Sequence, residues 1–153
     1  MELASRGHVG GLLVTNHLGR PLEFQCTAPV KANRTQEILY GPTLVPFLLC
    51  DLIGRTLLDK IGVKPHLVLV DDERLLDLRE QAGVPLALLQ GGEGQESLPG
   101  RTLGRQRVSL HPAFAADAEV LESARRRLPA DADLSEPFAR VRDALCETMG
   151  AAA

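Results

Sequence analysis

The sequence predicts an α/β (or α+β) domain with an N-terminal β-hairpin plus a βαβ unit in a mixed sheet, a buried central helix and two C-terminal helices. Three patterns support this fold class. Residues 65–90 have the pattern of strand, helix and strand; residues 22–27 alternate apolar and polar side chains; and residues 43–61 are apolar around well over half of a helical circumference. With 153 residues, the chain fits a single α/β domain over residues 1–150.

The first predicted element is a β-hairpin over residues 9–30. Its first strand, residues 9–15, is a short apolar run with two adjacent glycines, at which a neighbouring element can approach the backbone closely. The turn at residues 16–21 offers Gly19 for a positive φ. The period-two alternation of the second strand indicates one buried face, so we expect the hairpin to join the sheet.

Residues 29–42 allow two interpretations. Thr35 could cap a short or irregular helix, which we favour, or residues 37–40 could form a third strand. Gly41 and Pro42 then mark a clear break.

Residues 43–61 form the strongest predicted helix. Thr43 is the expected N-cap and Gly62 the expected C-terminal stop. Because the helix is apolar on most sides, we expect it to be buried at the centre of the fold, with Gly54 permitting close packing against a neighbour.

The βαβ unit follows. Residues 66–70 and 84–89 are apolar strands, and the segment from about Glu73 to Ala82 between them predicts a helix capped by Asp71 or Asp72. A crossover of about a dozen residues is what a parallel pair of strands requires. The nearly continuous apolar run of the first strand is typical of a sheet covered on both faces.

The remaining chain predicts a flexible loop, a strand and two helices. Residues 91–105 contain five glycines and a proline, which favours a flexible Gly-rich loop. A short strand is expected at 107–110. Helices are expected from Asp117 to about Arg127 and again after Ser135, which would cap the last helix, with a frayed C-terminus at 150–153.

Charge and composition limit the classes of partner and the compartment that the sequence predicts. The net charge is −3 and aromatic residues are scarce, so the sequence predicts neither a nucleic-acid partner nor a membrane partner. Three widely spaced cysteines favour buried free thiols in a reducing compartment. The chain begins without a signal-peptide pattern, and the apolar stretch at 44–53 is too short to span a bilayer. We therefore expect a cytoplasmic protein.

Two adjacent carboxylates provide one candidate site. Asp71 and Asp72 follow a predicted strand, where they could hold a divalent metal ion with Glu23 or Asp51 as a further ligand. The order of elements is similar to that of the ribonuclease-H-like nucleases, which hold catalytic metals on acids of the first strand; residues 9–15 contain none. The other interpretation is that the pair caps a helix. The metal interpretation implies a small metal-dependent hydrolase or phosphoryl-transfer enzyme.

The last helix provides a second candidate site. It carries an apolar stripe that would dock on a partner, on a second copy of the chain or on its own sheet. The stripe consists of Phe138, Val141, Leu145 and Met149. Since no catalytic constellation or cofactor motif is complete, the preferred function is a non-enzymatic interaction or scaffold module without a cofactor. Its expected partner is another protein or itself, as a homodimer.

Overall fold

The computed structural model describes residues 1–3, 7–91 and 99–151 and confirms a mixed α/β fold. Its strands fall into a first short pair, a hairpin and a four-stranded mixed sheet. The short pair is β1 (Glu2–Leu3) and β2 (Gly7–His8), and the hairpin is β3 (Gly11–Thr15) and β4 (Pro21–Cys26). The mixed sheet contains β5 (Val68–Val70), β6 (Leu86–Gln90), β7 (Gly100–Leu103) and β8 (Gln106–Leu110).

Helical segments connect and cover these strands. The α-helices are α1 (Arg34–Tyr40), α2 (Leu44–Pro46), α3 (Arg55–Lys60), α4 (Ala118–Arg127) and α5 (Glu136–Ala151). In the described part of the chain, 3₁₀ segments occur at Gly41–Thr43, Glu73–Glu80 and Ala115–Asp117, and Phe47–Gly54 is π-helical. The segments from α2 through α3 are continuous, and we refer to residues 44–60 as the central helix. Its change to π geometry follows Pro46, which has no N–H to donate to the preceding turn.

The mixed sheet has the order β5-β6-β8-β7. β5 runs parallel to β6, with Val68 opposite Leu86, which confirms the predicted βαβ unit. β8 is antiparallel to both of its neighbours. Successive residues of β6 point to opposite faces, Leu88 into one core cluster and Ala87 into another. Both faces of the mixed sheet are covered, as the apolar run at residues 66–70 predicts.

The central helix lies between the mixed sheet and the hairpin. Cys50 packs with Val68 and other residues of the sheet, while Ile53 belongs to a second cluster that Leu12 of the hairpin contacts. Gly54 permits the predicted close approach, because a Cβ there would lie 2.7 Å from Cδ2 of Leu78. Helix α4 covers the opposite face of the sheet through Leu121, which is 2% exposed.

The hairpin stands apart from the mixed sheet, contrary to expectation. β3 pairs with β4 alone among the described strands, with Leu13 opposite Phe24. The central helix packs against the hairpin and α5 against β3, so the hairpin's apolar face is buried by helices rather than by another strand. Gly19 adopts the expected positive φ, at 78°.

Several helix boundaries also differ from the sequence analysis. Asn33, not Thr35, caps α1, and Thr43 donates its hydroxyl to the carbonyl of Tyr40 instead of capping the next helix. The central helix ends as Ile61 turns to extended geometry, so Gly62 is not needed as a left-handed stop. Between β5 and β6 the crossover is a 3₁₀ rather than an α-helix.

The predicted Gly-rich loop is interrupted by a strand. Residues 100–103 form β7, because pairing with β8 and complete burial of Leu103 outweigh the poor strand propensity of glycine. Residues 92–98 lie outside the described residues, and the flexibility of this loop remains a prediction. Helix α5 continues through Ala151, beyond the expected frayed start at residue 150, while residues 152–153 also lie outside the description.

One helical stretch among the described residues, Arg34–Lys60, is long and apolar enough to cross a membrane by length and composition, with a mean hydropathy of 1.4 in its most apolar window. It is longer than the apolar run at 44–53 noted in the sequence. A core helix of a soluble protein meets the same criteria, and the second half of this stretch is core. The stretch also bends at Gly41, where φ is 50° and ψ is −128°.

Candidate interaction surface

Helix α1 is held by its own local hydrogen bonds. The side chain of Asn33 accepts a hydrogen bond from the backbone N–H of Gln36 (2.9 Å), and the Gln36 side chain accepts one from the N–H of Asn33 (3.0 Å). This reciprocal capping box satisfies two N–H groups that a helix start otherwise leaves unpaired. Within the first turn of α1, Arg34 and Glu37 form an ion pair at 3.0 Å.

None of the residues of α1 is buried. Leu39 is 76% exposed, the highest value among the large apolar side chains of the described residues, and Ile38 is 67% exposed, next after Leu18 at 68%. A short helix usually gains its stability by burying one apolar face. This helix instead presents apolar side chains to solvent, which is the arrangement found at contact surfaces.

An aromatic pair connects α1 to the central helix. The rings of Tyr40 and Phe47 are stacked, with centroids 4.5 Å apart and planes at 28°. Both residues are half-buried. The stack fixes α1 against the start of the central helix and extends the exposed apolar area. We refer to Ile38, Leu39, Tyr40 and Phe47 together as the α1 patch.

The surface of α1 is electrically balanced. Its sequence contains one cation, Arg34, and one anion, Glu37, and these two side chains pair with each other. A surface without net charge neither attracts a strongly charged ligand nor repels a second copy of itself. Its chemistry is therefore suited to apolar contact.

The structure places Asp71 and Asp72 against arginines. Oδ2 of Asp71 lies 2.8 Å from Nη1 of Arg142, which links the end of β5 to α5. Asp72 caps the following 3₁₀ helix through the N–H of Arg74 and forms an ion pair with the Arg74 guanidinium at 2.6 Å. This guanidinium, together with the backbone N–H, lowers the pKa of the Asp72 carboxyl despite partial burial. The capping interpretation of Asp72 is thus confirmed.

The other suggested metal ligands have separate partners. Glu23 accepts hydrogen bonds from the backbone N–H groups of Gly62 and Val63, and Asp51 accepts one from the Gln81 side chain. In the part of the chain that the structure describes, no three His, Cys, Asp or Glu side chains are grouped so as to hold a metal ion. Among the described residues, Asp71 and Asp72 therefore belong to no group of three such side chains.

The apolar stripe of α5 packs within the molecule. Leu145 is 2% exposed, and a Cβ on Gly11 would lie 2.8 Å from Cγ1 of Val141 and 3.2 Å from Leu145, so this part of the stripe faces β3. Phe138 packs against the core cluster on the α4 side of the mixed sheet. Met149, at the end of the stripe, is half-buried. The chain's own hairpin and sheet occupy most of this face.

The three cysteines are free thiols, as expected, but only Cys50 is fully buried. Burial raises the pKa of the Cys50 thiol to about 11, and its sulfur contacts the carbonyl of Arg74 at 3.2 Å. A thiol with a raised pKa is a poor nucleophile at neutral pH, so Cys50 acts as a small core residue. Cys26 is half-buried and Cys146 is exposed, which corrects the expectation of burial.

The α1 patch is not among the sites predicted from the sequence, because residues 29–42 allow two interpretations. Two signals were present. Asn33 and Gln36 have the spacing of a capping box, which fixes the helix start. Residues 38–40 are three consecutive apolar residues, and at about 100° per residue they cannot all face one core from a short helix.

No protein-family model, no curated protein and no solved structure matches this chain.

Proposed function

We propose that this protein is a small cytoplasmic, non-enzymatic scaffold module that associates with a second copy of itself through the α1 patch. The observation that supports this proposal is the exposure of Ile38 and Leu39 on a well-capped helix that buries none of its residues. Exposed apolar side chains grouped on one ordered element commonly mark a contact surface.

A second copy is the partner that the chemistry of this surface favours. Two-fold dimers are the commonest assemblies, and they require a patch that is complementary to itself. An apolar patch with a paired Arg34 and Glu37 meets this requirement, because two copies bring no excess of like charge together. Four side chains cover less than the roughly 800 Å² per partner of a stable interface, so we expect a reversible dimer of about micromolar affinity.

Sedimentation equilibrium of the full chain over a wide concentration range tests this proposal. The wild type should convert from monomer to dimer as its concentration rises. The double variant I38E/L39E should remain monomeric, since glutamate keeps the helix propensity of leucine but places charge on the contact. Its far-UV circular dichroism should match the wild type, which separates lost association from lost folding.

The matched control is the double variant L18E/L22E. These leucines of the hairpin region are 68% and 53% exposed, so the control makes the same chemical change at comparable exposure on a different element. It should dimerise like the wild type. A wild-type chain that stays monomeric at every concentration overturns the proposal, as does a dimer that I38E/L39E leaves intact.

Two further measurements cover the competing functions. Co-sedimentation with phosphatidylcholine vesicles that requires Ile38 and Leu39 would mean that a lipid surface covers α1, and the proposal would be wrong. A thermal shift on adding Mn²⁺ that disappears in D71N would favour the metal-dependent enzyme and would overturn the non-enzymatic assignment. We expect no vesicle binding and no Mn²⁺ shift.

A further inference from the structure

Within the described residues, β7 is the outermost strand at one end of the mixed sheet. This strand pairs with β8 on one side, and the described residues provide no strand on its other side. In an antiparallel pair, alternate residues direct their N–H and C=O groups away from the partner strand. Counting from the Leu103–Gln106 pair that closes a two-residue loop, Thr102 and Gly100 are the residues with outward groups. Arg107 donates to the carbonyl of Gly100 at 3.0 Å, which leaves Thr102 at the centre of the edge.

A groove of about 220 Å³ runs between this strand and α4. Arg101 and Thr102 line it on the strand side, and Leu121, Glu122 and Arg125 line it on the helix side. Leu121 is 2% exposed and forms an apolar floor. The groove thus combines a strand edge, an apolar floor and charged walls, which is the combination that β-strand addition uses to bind extended peptides.

The side chains that line the groove include two arginines and one glutamate, so the lining is positive although the whole chain is negative. Residues 99–128 contain six arginines and three acids, against a net charge of −3 for the full sequence. The six arginines are exposed, three on the β7–β8 hairpin and three in the last turn of α4. Glu122 lies 3.7 Å from Arg125 in a solvent-exposed pair, which an incoming carboxylate can replace at little cost.

We propose that the groove between β7 and α4 binds an extended acidic peptide segment of a partner protein, which adds to the sheet as a fifth strand beside β7. The backbone of the segment pairs with the outward groups of Thr102. Alternate side chains point toward α4, where carboxylates contact Arg101 and Arg125. This site is separate from the α1 patch and does not depend on self-association.

An acidic peptide fits better than the other common anionic partner, a nucleic acid. A strand edge offers backbone hydrogen bonds that only another peptide backbone matches in repeat. Sequence-tolerant binding of single-stranded nucleic acid also relies on aromatic side chains, and the residues that line this groove include none. Tighter binding of an RNA than of the acidic peptide is therefore one of the results that would overturn the proposal.

Fluorescence anisotropy with three labelled peptides tests the proposal on the full chain. The first peptide alternates valine and glutamate, the second alternates valine and lysine, and the third repeats the first with alternate amides N-methylated so that they cannot donate hydrogen bonds. The acidic peptide should bind, and added salt should weaken the binding. The lysine and N-methylated peptides should each bind at least about tenfold more weakly.

Variants locate the site. R101E/R125E should weaken binding of the acidic peptide by about tenfold or more. The control R126E/R127E makes the same charge change in the last turn of α4, outside the groove lining, and should retain most of the affinity. I38E/L39E should bind the peptide normally, which keeps this test distinct from that of the dimer.

Four results would overturn the proposal. They are no binding of the acidic peptide at millimolar concentration, equal binding of the N-methylated peptide, equal losses in R101E/R125E and R126E/R127E, and tighter binding of a labelled oligouridine that requires Arg101 and Arg125. The first two results would show that the strand edge is not used. The last two would show a diffuse charge effect or a nucleic-acid site.

Discussion

At the scale of single residues, a buried ion pair joins the crossover segment to the start of α4. Nε and Nη2 of Arg79 donate to the two carboxylate oxygens of Asp117 at 2.6 and 2.9 Å, and Nη1 donates to the carbonyl of Ala82. The guanidinium also lies 4.2 Å from the ring centroid of Phe114. The side chains of Arg79 and Asp117 are 16% and 9% exposed, so water can replace little of this contact.

Removing Arg79 should therefore be costly. R79A leaves the Asp117 carboxylate buried without its partner, and we expect a loss of about 3 kcal/mol in the free energy of unfolding measured in urea. The double variant R79A/D117A should lose less than the sum of the two single variants, because the charges are coupled. The exposed pair of Arg34 and Glu37 serves as control, and R34A should change stability by less than about 0.5 kcal/mol. Equal effects of R79A and R34A would contradict this account.

At the scale of elements, the contact between the central helix and the crossover segment depends on Gly54. A Cβ at this position would lie 2.7 Å from Cδ2 of Leu78 and 3.0 Å from the carbonyl oxygen of Leu49. The leucine side chain can move, but the carbonyl belongs to the helix backbone and cannot. The helix–crossover spacing is therefore fixed by the absence of a side chain.

We expect G54A to destabilise the protein by about 1–2 kcal/mol, because the cost of overpacking exceeds the gain of about 1 kcal/mol in helix propensity. The control is G83A, at a glycine that has no atom within 4 Å of the Cβ position and no positive φ. This control should be neutral or stabilised by up to about 0.5 kcal/mol. The free energies of unfolding of both variants are measured in urea. A G54A chain as stable as G83A would contradict this prediction, because it would show that the central helix and the crossover segment can move apart without cost.

The elements that the sequence predicts correctly are those with local patterns. The alternation at residues 22–27 predicts the second hairpin strand, and the apolar run at 66–70, followed by a crossover and a second apolar run at 84–89, predicts a parallel pair in a sheet covered on both faces. Contacts between distant residues leave no such pattern. Arg79 and Asp117 are 38 residues apart in sequence. Arg101 and Arg125 line the same groove only because β7 and α4 pack together. Helix α1 could be predicted from its capping box, but the exposure of the α1 patch depends on the whole fold.

At the scale of the whole molecule, three carboxylates stabilise the junctions between elements. Glu23 connects the hairpin to the loop after the central helix, Asp72 starts the crossover, and Asp133 accepts from Ser135 before α5 and from Gln106 of β8. The pKa of each carboxyl is lowered. The largest cause is the hydrogen bond from the N–H of Val63 for Glu23, from the Arg74 side chain for Asp72 and from the Ser135 hydroxyl for Asp133.

A lowered pKa fixes the direction of the pH dependence. The stabilisation from each carboxylate is complete above its unfolded pKa, 4.5 for Glu23 and 3.8 for the aspartates, and is lost as the pH falls through the lower folded values. The wild-type urea midpoint should therefore be constant from pH 7 to about 5 and fall below about pH 4.5. The variant E23Q/D72N/D133N should be less stable at pH 7, and its deficit should shrink on acidification. The variant D131N/D143N/E147Q changes the charge equally at exposed sites and should keep the wild-type profile. A triple junction variant whose midpoint falls as steeply as that of the wild type would show that these junctions do not govern acid unfolding.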